Sequence, residues 1–301
     1  MNVRPTDVVD ATVAIATAGR PRALERCLQA VLAGSAQPHE IVVVDQSDDE
    51  QSLAVVTDMR GRTERPIRHL RQERLGLSAS RNAGIEAAGA RIVALTDDDC
   101  VPSPEWLFAI AGSFTRGATV QAVTGRVLPL GPRDDGYAVS SRAGEEPAEF
   151  RGSFARPWLV GTGANTAVLR EWAVRIGGYD ERLGVGTRGG AGEDLDFIHR
   201  LLRTGGAIRF EPNALVYHER QPKARRRATR SSYGRGVGAC CGLWFREGDL
   251  HGISTLGRWL GMRAGFLTRA ALKGDLEGIR EEWLVLAGTA SGLAYGARLR
   301  R

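Results

Sequence analysis

Short β-branched apolar runs alternate with helical segments through the first half of the chain. Apolar runs of about four to eight residues favour strands, whereas apolar positions repeating every three or four residues favour helices. The pattern predicts strands over 11–16, 41–45, 67–70, 91–95 and 120–125, and helices over 20–33, 78–88 and 105–114. This alternation predicts an α/β fold with an open, mostly parallel, Rossmann-like sheet and helices on both faces.

The second half of the chain is less regular. A segment rich in glycine, proline and charge (126–157) predicts a long loop with an irregular strand, and a second glycine-rich loop covers 184–192. The pattern predicts helices over 171–176 and 193–203, two short strands around Ile208 and Val216, and three arginine-punctuated helices near 223–241, 254–273 and 276–298. We therefore expect an α/β domain over 1–219 and a basic, mostly helical C-terminal extension over 220–301.

Charge is distributed unevenly. Apolar residues make up 43% and charged residues 25%, which is typical of a globular protein and excludes a disordered chain. Residues 220–301 carry 14 arginines and two lysines against six acidic residues, whereas residues 1–219 are slightly acidic. Such a basic extension could meet nucleic acid, an anionic membrane surface or a pyrophosphate ligand. The sequence contains no recognisable nucleic-acid-binding module, so we expect no nucleic-acid partner.

Cysteine spacing and hydropathy indicate the cellular compartment in which we expect the protein. The four cysteines include no Cys-x-x-Cys pair, which favours a reducing cytoplasm over a zinc module. No signal peptide is evident, and the longest uncharged apolar run, Leu284–Ala297, is shorter than the roughly 20 residues that span a bilayer. We expect a cytoplasmic protein, soluble or peripheral at the inner face of the membrane.

Acidic residues follow two of the predicted strands. Asp45 ends one strand and the run Asp97–Asp99 ends another, with Thr17 at the end of the first. Ligands of open α/β sheets bind at the carboxyl ends of the strands, and a divalent cation commonly neutralises such a cluster of carboxylates. The alternative is an acidic turn that caps the following helix.

Several segments, taken in order, resemble the family 2 inverting glycosyltransferases of GT-A fold. The resemblance covers about residues 11–219. It is carried by Val13–Thr17, Glu40–Ser47, Leu77–Gly84, Leu95–Asp99, Gly161–Asn165, Gly177–Glu181, Gly192–Asp196 and Val216–His218.

The resemblance implies a donor site for a nucleoside-diphosphate sugar. In it, Asp45 accepts the ring N–H of the base, Thr17 lies beside the nucleotide, and Asp97 or Asp98 faces the ribose. Asp99 would bind Mg²⁺ or Mn²⁺ on the diphosphate.

The resemblance places two further residues on the donor side. His218 matches a position that completes the metal site in many relatives, although a structural histidine is the alternative. Arg81 would touch phosphate or ribose, or pair only with the acidic cluster.

The resemblance also implies an acceptor site. Asp194 matches the catalytic base that takes the proton of the acceptor hydroxyl, and Glu193 would hold the acceptor beside it. Both acids could instead simply cap the helix that they begin. Asn165 and Trp158 could line the acceptor pocket, or pack in the core.

Two departures from the family pattern bear on the number of sugars transferred and on the nucleotide base. No Gln-x-x-Arg-Trp element of processive synthases follows the Glu193-Asp194 motif, which favours transfer of a single sugar to a glycan, a lipid-linked or a small hydroxyl acceptor. Ala16–Arg20 replaces the usual Pro-Thr-Tyr-Asn-Arg, which leaves the base undefined. A sugar nucleotidyltransferase and a non-catalytic nucleotide- or sugar-binding protein remain as alternatives.

The C-terminal extension interleaves aromatic residues with arginines. The helix predicted around Thr255–Leu272 is basic and amphipathic, as in helices that lie in a membrane interface. Arg225–Arg227 would attract anionic lipid. Alternatively, the apolar residues pack on the α/β domain or on a second subunit of a homodimer.

Overall fold

The computed structural model describes residues 7–115, 119–131, 137–138, 142–152 and 156–299, with the side chains of 137–138 and 221–227 left out. The helices are α1 (Pro21–Leu32), α2 (Gln51–Arg60), α3 (Leu77–Ala87), α4 (Trp106–Thr115), α5 (Arg170–Arg175), α6 (Glu193–Arg203), α7 (Lys223–Arg246), α8 (His251–Leu272) and α9 (Leu276–Gly296). The strands are β1 (Val8–Thr17), β2 (Gln37–Asp45), β3 (Ile67–Arg71), β4 (Ile92–Asp97), β5 (Cys100–Pro102), β6 (Ala122–Pro129), β7 (Tyr137–Ala138), β8 (Ala148–Arg151), β9 (Asn165–Leu169), β10 (Ala207–His218) and β11 (Gln221–Pro222).

Nine of the described strands form one mixed sheet in the order β3-β2-β1-β4-β9-β6-β10-β5, with β8 on β10. The strands β3, β2, β1 and β4 are parallel, as the βα alternation predicts. β9 runs antiparallel between β4 and β6, and β6 and β10 are again parallel to each other. The predicted α/β class with a mostly parallel sheet is confirmed.

Helices cover both faces of the sheet, as expected. Leu24 and Leu28 of α1 and Trp106 of α4 are buried on one face. Phe197 and Leu201 of α6 are buried on the other. The apolar run of β2 is buried along its whole length, with Ile41 and Val43 in the first of these cores, as expected of a parallel strand covered on both faces.

One local prediction is wrong, and one helix was missed. The strands expected around Ile208 and Val216 are a single strand, β10, whose register shifts between Glu211 and Leu215. Pro212 lies in this irregular stretch, where the ladder does not need the N–H that proline lacks. Helix α2 has only three buried residues and was not predicted from its weak apolar periodicity.

The C-terminal extension is helical, and α7 and α9 lie in backbone contact. Gly234, Gly238 and Gly242 of α7 face α9, and Gly288, Gly292 and Gly296 of α9 face α7. A Cβ atom at any of these glycines would overlap a backbone atom of the other helix; at Gly292 this is the carbonyl oxygen of Arg235. Small residues at every fourth position let two helix backbones approach closely.

Helix α7 also packs against the α/β part of the chain. Its Trp244 Nε1 donates to Asp196 Oδ1 of α6 over 2.9 Å, and its Cys240 Sγ lies 3.1 Å from the carbonyl oxygen of Gly192. His199 of α6 stacks on Trp244, and its Nε2 lies 2.6 Å from Asp249 Oδ2. The extension is therefore fastened to α6, while its separation as a domain at residue 219 remains a prediction.

A matched pair of glycine substitutions should test the α7–α9 contact. We expect Gly292→Ala to lower the free energy of unfolding by about 1–3 kcal/mol, because the new methyl group overpacks the interface. Gly257 lies in the middle of α8, and a Cβ added there would meet no atom within 4 Å, so Gly257→Ala should raise stability by about 0.5–1 kcal/mol. Urea unfolding of the two variants measures both effects, and a shift of the same sign in both would contradict the contact.

Candidate active site

The sequence-predicted site residues meet where several strands end. β1 ends at Thr17 beside Asp45 of β2, and Asp97 of β4 pairs with Ala16. The neighbouring part of this edge is formed by β10, whose last residue, His218, pairs with Cys100 of β5. The carboxyl ends of these strands thus bring together residues about 200 positions apart in the sequence, as expected for an open α/β sheet.

Arg20 covers the second and third acids of the Asp97–Asp99 run. The Asp98 side chain is fully buried and accepts hydrogen bonds from Thr17 Oγ1 over 2.7 Å and from Arg20 Nε over 3.0 Å. A terminal nitrogen of Arg20 lies 2.5 Å from Asp99 Oδ2. Burial raises the pKa of Asp98 to about 7, with Arg20 opposing the rise and the charge of Asp99 adding to it. Thr17, expected beside the nucleotide, here holds Asp98.

Arg81 joins three acids. Its guanidinium is 4% exposed and lies 3.1 Å from Asp97 Oδ1, 3.2 Å from Glu193 Oε1 and 2.6 Å from Asp194 Oδ1. Burial alone would lower the pKa of Arg81, but the surrounding carboxylates raise it well above the usual value. Of the two roles considered for Arg81, pairing with the acidic cluster is the one present in the structure.

Asp194 lies in the first turn of α6, and part of its carboxylate is open to solvent. Its side chain is 22% exposed, and its Oδ2 accepts the backbone N–H of Gly163 over 2.7 Å. The positive end of the α6 dipole further stabilises its charged form. Residue 163 must be glycine, because a Cβ there would overlap Asp194 Oδ1 and the guanidinium of Arg81.

Glu193 points inward. Its side chain is 5% exposed, and its Oε2 is buried with no hydrogen-bond partner among the described residues. Burial raises the pKa of Glu193 to about 8, and the charge of the adjacent Asp194 contributes. The carboxyl group of Glu193 therefore has almost no exposed surface, and its contact with the acceptor stays a prediction.

The Asp45 side chain is also fully buried. Its Oδ1 accepts the backbone N–H of Ser47 over 2.8 Å, and its Oδ2 lies 2.9 Å from His69 Nε2. Burial alone would raise the pKa of Asp45, but the hydrogen bonds from Ser47 and His69 bring it below the usual value. The predicted contact with a nucleotide base would require His69 to give way.

Two residues proposed for the acceptor pocket have packing roles. Asn165 is 1% exposed; its Oδ1 accepts from Trp106 Nε1, and its Nδ2 donates to the carbonyl groups of Arg126 and Ala214. Both N–H groups of its amide are thus used within the fold, which is the packing role considered as the alternative for Asn165. Trp158 packs edge-on against Trp259 of α8 at 5.5 Å between ring centroids, so its principal contact is with the extension.

Sequence reasoning did not identify Arg20, His69 or Gly163 as site residues. Arg20 had one usable signal, because three adjacent carboxylates at a strand end require nearby positive charge. His69 had none, since its partner, Asp45, is distant in the sequence, whereas Gly163 lies in the Gly161–Asn165 segment that carries the family resemblance.

Asp99 and His218 form a pair suited to a divalent cation. Asp99 Oδ1 is buried without a hydrogen-bond partner among the described residues and lies 3.5 Å from His218 Nε2. His218 Nδ1 lies 2.7 Å from the carbonyl oxygen of Glu219, which assigns the proton of the neutral ring to Nδ1 and leaves a lone pair on Nε2. Within the described chain, the ion pairs of this acidic cluster involve only two guanidinium groups, those of Arg20 and Arg81, against five carboxyl groups. The carboxyl groups are those of Asp97, Asp98, Asp99, Glu193 and Asp194. The excess negative charge and the oxygen and nitrogen donors fit Mg²⁺ or Mn²⁺.

Acids at the carboxyl edge of a mostly parallel sheet agree with the donor site that the resemblance to GT-A glycosyltransferases implies. The chain belongs to glycosyl transferase family 2, whose sequence model matches residues 12–174. The succinoglycan biosynthesis protein ExoM of Rhizobium meliloti is 26% identical over 97% of this chain and 85% of its own length. The glucosyl-dolichyl phosphate glucuronosyltransferase of Haloferax volcanii is 26% identical over 55% of this chain, and the match spans about half (53%) of that relative.

Solved structures support the fold. The mannosyltransferase PcManGT from Pyrobaculum calidifontis, solved in complex with GDP-Man and Mn²⁺, has a TM-score of 0.62 at 16% identity and covers 97% of this chain and 90% of its own. S. aureus TarS 1-349 has a TM-score of 0.57 at 15% identity and covers 92% and 91%. None of the helices in the described part of our chain has the length and apolarity that crossing a membrane requires.

The buried carboxyl group of Glu193 should make stability depend on pH. Because its pKa in the folded state, about 8, exceeds its ordinary value of 4.5, the protonated form stabilises the fold, and this contribution is lost as pH rises from about 5 to 8. Glu193→Gln keeps a neutral side chain at every pH. Across this range we expect the free energy of unfolding of Glu193→Gln to increase relative to that of the wild type, by up to about 1.4 kcal/mol per pH unit.

Urea unfolding at a series of pH values measures this difference, with Glu64→Gln at an exposed position as the matched control. A constant difference between Glu193→Gln and the wild type from pH 5 to 8 would show that Glu193 is ionised throughout.

Proposed function

We propose that the protein is an inverting, metal-dependent glycosyltransferase that moves a single sugar from a nucleoside-diphosphate donor to a hydroxyl acceptor. The observation that carries the proposal is the Arg81 cluster. It ties Asp97, on the donor side implied by the family resemblance, to Asp194, the partly exposed carboxylate at the start of α6. A donor site and a base are thus held at a fixed separation by one buried cation.

Asp194 is suited to be the general base. An acceptor hydroxyl loses its proton as it attacks the sugar carbon, and a carboxylate within hydrogen-bond reach contributes typically ~10²–10⁴-fold to the rate. Arg81 and the Gly163 N–H each occupy one lone pair of the carboxylate, which fixes its orientation and leaves a further lone pair on each oxygen. One base acting in one displacement inverts the anomeric centre.

The leaving group is a nucleoside diphosphate, on which negative charge develops as the glycosidic bond breaks. A divalent cation held by Asp99 and His218 would supply Lewis-acid stabilisation of that charge. The chain's own residues fix the arrangement: Thr17 and Arg20 hold Asp98, and Glu219 orients His218 through its carbonyl oxygen. PcManGT, of the same fold, was solved with GDP-Man and Mn²⁺, which supports this choice of donor class and ion.

Asp194→Asn should abolish sugar transfer, because the amide cannot accept the proton of the acceptor hydroxyl. We expect the rate to fall by about 10²–10⁴-fold, with donor affinity nearly unchanged because the substituted group lies on the acceptor side. Nucleoside diphosphates tested for thermal stabilisation with and without Mn²⁺ identify the donor nucleotide first, and a transfer assay with that donor follows.

Asp58→Asn, at an exposed position on α2, is the matched control for the loss of a carboxylate. If Asp194→Asn transfers sugar as fast as the wild type, Asp194 is not the general base. If no nucleoside diphosphate stabilises the wild-type protein, a non-catalytic binding protein becomes the better hypothesis.

We also propose that the C-terminal extension meets an anionic membrane surface, where a lipid-linked acceptor would be found. Helix α8 contains three arginines and no acidic residue. Ile253 and Leu260, two helical turns apart on α8, are 55% and 41% exposed, and Trp283 of α9 is 59% exposed. Exposed apolar side chains flanked by arginines suit an interfacial helix. The Arg225–Arg227 side chains, expected to attract lipid, lie outside the described residues.

A double substitution should test this surface. Ile253→Ser with Leu260→Ser should weaken binding to vesicles of phosphatidylglycerol and phosphatidylcholine by roughly tenfold, because both side chains lose contact with acyl chains. Co-sedimentation measures the affinity, and Val174→Ser, at an equally exposed position on α5, is the control. Equal binding by all three proteins would show that charge alone attracts the chain. Absence of binding together with a dimer in sedimentation velocity would assign the surface to a second subunit.

A further inference from the structure

The guanidinium of Arg20 is placed between the acids of the site and solvent. It donates to Asp98 Oδ2 and Asp99 Oδ2, and its hydrogen bonds in the described structure all go to these two carboxylates. The Arg20 side chain is 42% exposed, whereas those of Asp98 and Asp99 are fully buried and 8% exposed. Arg20 can therefore leave by rotating toward solvent, while the acids stay in place.

Asp99 offers its two oxygens to different partners. Oδ2 is held by Arg20 at 2.5 Å, whereas Oδ1 has no hydrogen-bond partner among the described residues and faces His218 Nε2 at 3.5 Å. A cation bound by Oδ1 and Nε2 would share one carboxylate with the guanidinium. Two positive groups on the same carboxylate repel each other strongly where water is scarce.

We propose that Arg20 competes with the divalent cation for Asp99, so that the cation binds tightly only together with the donor. In the empty enzyme Arg20 neutralises Asp98 and Asp99. The diphosphate of the donor offers the displaced guanidinium another anionic partner, with the planar donor geometry that arginine uses for phosphates. Metal and donor then strengthen each other's binding, as two ligands do when each relieves the same unfavourable contact.

This proposal rests on the proposed function, because it assumes a metal-dependent donor site at Asp99 and His218. Its test uses the full chain and Mn²⁺ alone, with the free ion followed by electron paramagnetic resonance. Arg20→Gln should bind Mn²⁺ about tenfold or more tightly than the wild type, because the competing charge is gone. The opposite result, weaker binding by Arg20→Gln, would mean that Arg20 organises the metal site instead of occupying it.

Arg26→Gln is the matched control. Arg26 lies on α1, which Arg20 immediately precedes, and it pairs with Glu219, next to His218. Both substitutions therefore remove one positive charge near the site. If the two variants tighten Mn²⁺ binding equally, the effect is one of net charge and direct competition is excluded. Arg20→Lys serves as a second variant should Arg20→Gln fold poorly, since one ammonium group cannot bridge both carboxylates as the guanidinium does. Its Mn²⁺ affinity should lie between those of the wild type and Arg20→Gln.

A second measurement separates the two proposals. The nucleoside diphosphate that gives the largest thermal stabilisation should tighten Mn²⁺ binding in the wild type, and it should do so much less in Arg20→Gln. Equal coupling in both proteins would overturn the competition while leaving the donor site intact. Failure of every variant to bind Mn²⁺, with or without nucleotide, would overturn the metal-dependent function as well.

Discussion

The buried ion cluster around Arg81 is the constraint on which the rest of the site depends. A guanidinium that is 4% exposed must find anionic partners inside the protein, and it finds them in two segments more than 90 residues apart: Asp97 at the end of β4 and Glu193-Asp194 at the start of α6. Removing one partner of such a cluster leaves an uncompensated buried charge, which is strongly destabilising. The cluster therefore fixes α6 against the sheet edge, and the close approach of Gly163 leaves it no room to shift.

Helix α7 of the C-terminal extension packs against the segment that leads into α6. The backbone of residues 190–192, immediately before Glu193, lies against α7: the N–H of Ala191 donates to the carbonyl oxygen of Ser232 over 3.2 Å, and a Cβ at Gly236 would overlap Ala191. The α6 helix is thus fixed by Arg81 at its amino end and by Trp244 and Asp249 along its length. Although the charge of the extension suggests a separate unit, its packing makes it a support of the candidate active site.

Much of this could be predicted from the sequence, because β-branched runs and the acids that follow them are local signals. The parallel strands β1 to β4, the position of Asp97–Asp99 at a strand end and the helix begun by Glu193 were all predicted. Which side chains pair with each other across the fold was harder to predict. Nothing near Asp45 indicates His69, and the burial of Glu193 beside a partly exposed Asp194 depends on how α6 docks. The glycines of α7 and α9 recur every four residues and could have been recognised, but their pairing could not, since α8 intervenes.

The pairing of α7 with α9 has a consequence for how the protein is made. Helix α7 lies against the loop that leads into α6, yet the surface that holds α7 comes from Gly288, Gly292 and Gly296, near the carboxyl end of the described chain. During synthesis on the ribosome, the sheet and its acids emerge long before these glycines. The segment 190–192, which leads into α6, consequently emerges long before α9, the helix that packs on the other side of α7.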